Sequence, residues 1–259
     1  SMNGNTCAQV YSNGSFTKVF PMPDKTGARV GQTLTDFADD VGIPDTLVMD
    51  LAPEQAGKHT DMQKEARRLR VRIRFTEKGR SEQNHTAEGE IGQLKRRWKH
   101  RMTTRNVPRC LWDYGLVHEA EVLSILARGK DQVPGLEKVL GQTIDISEYF
   151  DFGIWDLVWW YWDQSKTSDM SDEQKKLGRW LGIAHRVGSE MTYWILTEHC
   201  KVIARSTVQH VLFADLQQET VKAKAARFEQ LIDENLRGRE TIVNVPNVFY
   251  LDDEAAPDG

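Results

Sequence analysis

The sequence is short of cysteine, of net charge and of long apolar runs. Its three cysteines, Cys7, Cys110 and Cys200, are widely scattered through 259 residues with no Cys-x-x-Cys pair. Such spacing excludes a zinc knuckle and a disulfide framework, and reads as reduced thiols of an intracellular protein. No apolar run approaches the ~20 residues that a membrane-spanning helix needs. The first residues also lack the basic-then-apolar order of a secretory signal, so no membrane association is expected. A formal charge of −4 excludes a generally cationic, nucleic-acid-coating protein. Any contact with phosphate must then come from a local basic surface or from bound metal ions.

Apolar side chains are present in sufficient number: 39% hydrophobic residues and eight tryptophans provide a packed core, which excludes wholesale disorder. The length fits one large domain or two smaller ones. Two β-prone runs, residues 7–11 and 16–20, flank Ser12-Asn13-Gly14-Ser15, and Asn-Gly is the strongest short signal for a hairpin. Val30, Leu34, Phe37, Ala38 and Val41 share one face of a helix that Gly42 and Pro44 end. The apolar run Leu47-Val48-Met49-Asp50 reads as a buried strand closing on a carboxylate. A helix over about 59–70 and a strand over 71–76 follow, the strand displaying Arg72 and Arg74 on one face by strict alternation.

After the basic loop Lys78-Gly79-Arg80-Ser81, residues 81–102 have helical period. Ala87, Ile91, Leu94, Trp98 and Met102 form the apolar stripe, while Lys95, Arg96, Arg97, Lys99, His100 and Arg101 lie off it. The run holds almost no acid after Glu90, which suits a phosphate backbone better than an ordinary solvated face does. A second amphipathic helix starts at Pro108, with Leu111, Trp112, Leu116, Val122, Leu123 and Leu126 as its apolar set. His118 on that helix is expected at the surface or as a cap. Residues 129–141 read as a linker. From residue 152 the texture changes to short β runs rich in tryptophan with glycine-bearing turns, the pattern of a small barrel with the tryptophans in its core. Residues 215–236 form a charged amphipathic helix, and 244–259 an acidic tail with little means of folding alone.

Asp50 and Glu88 carry the chemistry of this pattern. Thirty-seven residues separate them, enough for a helix, a strand and a loop that return the second carboxylate to the first. Carboxylates from a strand end and a helix make a divalent-metal site, because hard cations take oxygen ligands. Glu54, in the loop after Asp50, reads as a solvated loop acid.

Val41-Gly42-Ile43-Pro44 before Leu47-Val48-Met49-Asp50, then Gln83-Asn84-His85-Thr86-Ala87-Glu88, then Leu111-Trp112-Asp113-Tyr114, resemble the integrase core of copia-type LTR retrotransposons. Further on, Leu177-Gly178-Arg179-Trp180-Leu181-Gly182, Tyr193-Trp194-Ile195-Leu196 and Val202-Ile203-Ala204-Arg205 look like the SH3-like barrel that follows that core. The resemblance implies an α/β RNase H-like core, a mixed sheet with helices, over residues 1–135. It also implies a small all-β SH3-like barrel over 136–212, and a helix with an acidic tail over 213–259. The implied activity is DNA 3′-end processing and strand transfer in the nucleus, by a polynucleotidyl transferase that is a homo-oligomer when complete. Two Mg²⁺ (or Mn²⁺) ions would stabilise the attacking and leaving oxygens. Asp50 and Glu88 would be the catalytic and metal ligands. Lys78, Arg80, Asn84, Lys95, Arg96 and Lys99 would contact DNA, the partner being retroelement ends and target DNA. The family's triad also has an Asp on a first strand; no Asp precedes Asp24 here, and Asp24 follows the hairpin. The resemblance is therefore to a core without its first strand, which leaves open a catalytically inactive nucleic-acid- or protein-binding remnant.

Overall fold

The computed structural model describes residues 1–49, 60–76, 85–128, 131–161, 175–188 and 191–240. Strands β1 (Cys7–Ser12) and β2 (Thr17–Met22) form the antiparallel hairpin. Its turn is built by Asn13, whose Oδ1 accepts the N–H groups of Ser15 and Phe16 at 3.0 and 2.8 Å. Gly14 holds φ +89° there, in the left-handed region that favours glycine. Helix α1 (Gly27–Asp40) runs back antiparallel to β2, and its last turn is tied to the start of β2 by Lys18–Asp40 at 3.3 Å. Strand β3 (Thr46–Met49) and strand β4 (Arg72–Phe75) are parallel, joined through helix α2 (Asp61–Arg68). Thr60 caps α2 by accepting the Gln63 N–H. α1 and α2 lie side by side: a Cβ on Gly31 would stand 3.1 Å from the Asp61 backbone, and Thr35 donates to Glu65 at 3.1 Å.

The four strands form two separate pairs. Asn13 donates to the Phe16 carbonyl, and with the hairpin register this turns the peptides of Ala8 and Val10 away from β2. The other side of the hairpin is closed, since the Ser124 hydroxyl accepts the Thr17 N–H and donates to its carbonyl. In the parallel pair, Arg72 and Thr76 donate to Asp45 and Met49, which leaves the peptides of Thr46 and Val48 facing outward. Ile73 is half-buried and Phe75 is 37% exposed, so the apolar face of β4 that alternation predicts is only partly covered.

Helices α3 (His85–Thr104) and α4 (Trp112–Ile125) pack against each other across a close contact. A Cβ on Gly115 would fall 2.2 Å from the Trp98 ring. Residues 135–140, expected in a linker, form helix α5 (Gly135–Leu140), which Pro134 precedes and left-handed Gly141 (φ +69°) ends. It is short enough to hide inside a Pro- and Gly-bearing stretch. It docks on the hairpin turn, where a Cβ on Gly135 would stand 2.0 Å from the Ser15 carbonyl oxygen.

The second half holds a five-stranded antiparallel sheet of β5 (Leu157–Tyr161), β6 (Lys175–Ile183), β7 (Tyr193–Leu196), β8 (Val202–Arg205) and β9 (Val208–His210). Its order is β8-β7-β6-β5-β9: a four-strand meander whose fifth strand returns to pair with the first. Trp155, Trp159, Trp160 and Trp180 are all buried, so these tryptophans are core. The chain closes with α6 (Phe213–Leu216) and α7 (Glu219–Glu240), whose Phe228, Ile232 and Leu236 are buried.

Two apolar clusters result. The smaller joins the Cys7/Tyr11 face of the hairpin to α1, β3 and α2. The larger runs from Val19 through Leu94, Trp98, Leu116 and Leu123 into Trp180, Ile195 and Ile232. The boundary expected near residue 135 is therefore no break in the core: α3 and α4 are packed by the hairpin on one side and by the five-stranded sheet on the other. The contact between Gly115 and Trp98 is the tightest point of that layer. Gly115→Ala should lower stability by about 1–3 kcal/mol through overpacking. In a Trp98→Leu background the same change should cost clearly less, because the two sites are in contact. Denaturant unfolding of the four proteins measures this coupling, and equal costs in both backgrounds would refute the contact.

Candidate functional site

Of the residues expected to act, Asp50, Lys78, Arg80 and Asn84 lie outside the described residues, as does Glu54. Met49, just before Asp50, ends β3 and is buried at 6% exposure among the residues of the smaller cluster. Glu88 is in the first turn of α3, as its motif predicts, and its side chain is exposed. The start of α3 lies against the hairpin turn, because a Cβ on Gly14 would be 3.0 Å from Thr86. One turn on, Glu90 accepts from Thr17 and from Arg128, which also reaches the Ser15 carbonyl.

β3 points the other way. α1 ends beside Lys18 near the hairpin turn, and β3 then runs back alongside α1 toward the end where Asp61 touches Gly31. The described elements thus place Glu88 at the hairpin-turn end of the layer and the residue before Asp50 at the opposite end. Six residues of β1 separate these ends, about 17–20 Å at strand rise. Among the described residues no group of three His, Cys, Asp or Glu side chains is placed to hold a metal ion.

The basic stripe of α3 divides into two sets. Arg97 and Arg101 turn inward, donating through Nε to the two oxygens of Glu119 at 2.9 and 2.7 Å. Glu119 is fully buried on α4, so these two charges are spent within the fold. Arg96, Lys99 and His100 remain exposed, and Lys95 is half-buried. Arg105, just past the helix, pairs with Asp156 at the start of the five-stranded sheet. The sequence pattern alone cannot sort these six side chains. The signal that does so is Glu119 itself, an acid lying among Leu116, Ala120 and Leu123, where an unpaired carboxylate could not be buried.

α4 carries further polar side chains that sequence reasoning passed over. Asp113, 2% exposed, accepts from the side-chain amides of Asn3 and Asn5 at 3.0 and 2.9 Å. Glu121, 8% exposed, meets His185 at 2.9 Å. His118, expected at the surface or as a cap, is buried with its ring edge-on to Trp180 at 5.2 Å. The reason is that α4 packs against α3, the hairpin and β6 at once, so much of its polar face is interior too. Burial pushes the His118 pKa below the ordinary histidine value, while the Glu121 hydrogen bond raises that of His185.

Two measurements follow from this network. Replacing Arg97 and Arg101 together with Leu strands a buried carboxylate and should cost about 3–5 kcal/mol; adding Glu119→Gln should restore much of the loss. Denaturant unfolding that shows no recovery in the triple variant would refute the pairing. His185, whose pKa is raised on folding, contributes stability that is full below about 6.5 and is lost as pH rises through its folded value. His118, whose pKa is lowered, acts in the opposite sense: its contribution is present above about 6.5 and is lost as pH falls. Melting curves between pH 5.5 and 8 should therefore show His185→Gln less stable than wild type at the acid end and converging with it at the alkaline end.

In comparisons with known proteins, no family model and no characterised protein sequence matches the chain. Among solved structures, a chain of the cryo-EM structure of a simian T-cell lymphotropic virus intasome, in complex with PP2A regulatory subunit B56 gamma, is similar at 12% identity and a TM-score of 0.39. The alignment covers 79% of this chain and 74% of that one.

Proposed function

We propose that the chain is an integrase-related nucleic-acid-binding module that grips the phosphate backbone without turnover. The observation that carries this reading is the exposed cationic face of α3. Arg96, Lys99 and His100 stay in solvent on a helix whose other arginines, Arg97 and Arg101, share the buried Glu119. The Arg97–Glu119–Arg101 link fixes the helix to α4, so the exposed cations are presented from a rigid layer. Such a face contacts phosphates and positions a duplex without reading its sequence.

Three features support the family side of the reading. Glu88 and the described part of its motif, from His85 on, fall in the first turn of a long helix. A hairpin, a helix, and a parallel strand pair joined through a second helix follow in the order of the mixed α/β core that the resemblance implies. The order β8-β7-β6-β5-β9 is that of a five-stranded SH3-like barrel. Metal-dependent processing and strand transfer would need Asp50, Glu88 and a third carboxylate in one place. The exposed position of Glu88 at the hairpin-turn end favours binding over turnover.

Replacing Arg96 and Lys99 with Gln should weaken duplex DNA binding irrespective of sequence. It should also lower the slope of log K against log salt by about 0.9 for each phosphate contact removed. Exposed substitutions of this kind change stability by less than about 0.5 kcal/mol, so melting curves should stay superimposed. An unchanged slope and affinity would leave this face as ordinary wet surface. Mg²⁺-dependent nicking of an end-mimicking duplex that Glu88→Gln abolishes would establish turnover in place of binding alone.

A further inference from the structure

α4 borders a cavity of about 210 Å³, closed on its other side by β6 and β7 and open to solvent at its mouth. Its lining includes Asp113, Tyr114, His118 and Glu121 from α4 and Trp194 from β7. We propose that this cavity binds an alkylammonium group, the chemistry of a lysine side chain.

Asp113 makes the case. It is almost fully buried, and its Oδ2 already takes two amide N–H groups, from Asn3 and Asn5. Its Oδ1 is buried with no hydrogen-bond partner among the described residues, and so is the Nδ1 of His118, a side chain 4% exposed on the same wall. A buried carboxylate oxygen without a donor is an unfilled position in the network. The lining holds no lysine or arginine; Glu121 is already paired with His185, while the Asp113 carboxylate, bonded to neutral amides, repels an anion and attracts a cation. The rings of Tyr114 and Trp194, edge-to-face with centroids 6.4 Å apart, add the aromatic surface that desolvated cations favour.

The same residues narrow the choice of cation. A guanidinium binds a carboxylate through two parallel bonds and needs both oxygens; here Oδ2 is occupied and one oxygen remains, which suits a single ammonium. A hard divalent ion takes six or more oxygens, and among the described residues no three-ligand group exists. The volume is below that of ordinary small-molecule pockets and matches one side chain. His118 is held neutral by its burial, so it adds no competing charge.

The test is a titration of the full chain with Nα-acetyl-lysine methylamide, alongside the norleucine and arginine analogues, read by nuclear magnetic resonance. The lysine compound should perturb the resonances of Tyr114 and Trp194 and bind about tenfold more tightly than norleucine. The arginine compound should be weaker than lysine. Asp113→Asn should erase the preference of lysine over norleucine, and Trp194→Leu should lower lysine affinity several-fold. Equal binding of lysine and norleucine by the wild type would overturn the proposal, even where Asp113→Asn fails to fold. So would perturbations confined to other parts of the chain, or a lysine preference that persists in Asp113→Asn. DNA binding is a separate readout, since none of these residues lies on the exposed face of α3.

Discussion

The structure depends on one constraint: Asp113, Glu119, Glu121 and Ser124 of α4 are buried, so each needs an interior partner. An isolated buried carboxylate costs far more than a typical hydrogen bond returns, and an unpaired one would shift its charge state instead of staying ionised. The chain meets this by drawing each of these four side chains to a different element. Asp113 ties down Asn3 and Asn5, Glu119 holds α3 through two arginines, Glu121 reaches His185 beyond β6, and Ser124 closes the free side of β2. Four distant stretches of sequence are thereby placed relative to one helix. The apolar contacts of the larger cluster supply the driving force for burial, while these directional bonds fix the arrangement it takes.

This division explains what could be read from the sequence. The hairpin, α1, the strands β3 and β4 and α3 came through because each has an apolar run or period and a strong local punctuation nearby: Asn13-Gly14, Gly42 with Pro44, and the basic loop before α3. α4 came through as a helix but not as a central one. Its apolar set, read as a single stripe, hid the fact that Asp113, His118, Glu119 and Glu121 also face protein. Periodicity separates apolar from polar positions, yet it cannot tell a polar residue in water from one in a buried ion pair. α5 was missed because six residues between Pro134 and Gly141 are too few to show a period. The relation of Glu88 to the end of β3 was beyond reach as well. Spacing along the chain bounds how near two residues can come, and does not say at which end of a layer a helix begins.

The cationic helix shows the same limit from the functional side. Read as a run, residues 95–101 hold six basic side chains. In the fold, two of them neutralise a buried acid, and the exposed face reduces to Arg96, Lys99 and His100 with Lys95 at its margin. A phosphate-binding face of that size gives modest, sequence-independent affinity at physiological salt, since each contact contributes through counterion release and is screened within about 8 Å. That suits a protein with an overall negative charge, which must rely on local presentation for any attraction to nucleic acid.

The placement of the ion pairs also separates stability from binding. Glu119 absorbs the two arginines whose removal would damage the fold. Arg96, Lys99 and His100 stay exposed on α3, apart from the pairing that holds α3 to α4. Asp113 occupies the opposite position: it is part of the framework through Oδ2, while its Oδ1 is buried without a hydrogen-bond partner among the described residues. A group bound there would add a donor to a network that otherwise ends in an unpaired oxygen, tightening the joint between the N-terminal segment, α4 and β7. Occupancy of the cavity would thus stabilise the layer from which α3 presents its cations. The coupling would act through the rigidity of α4 and not through any contact between the two sites.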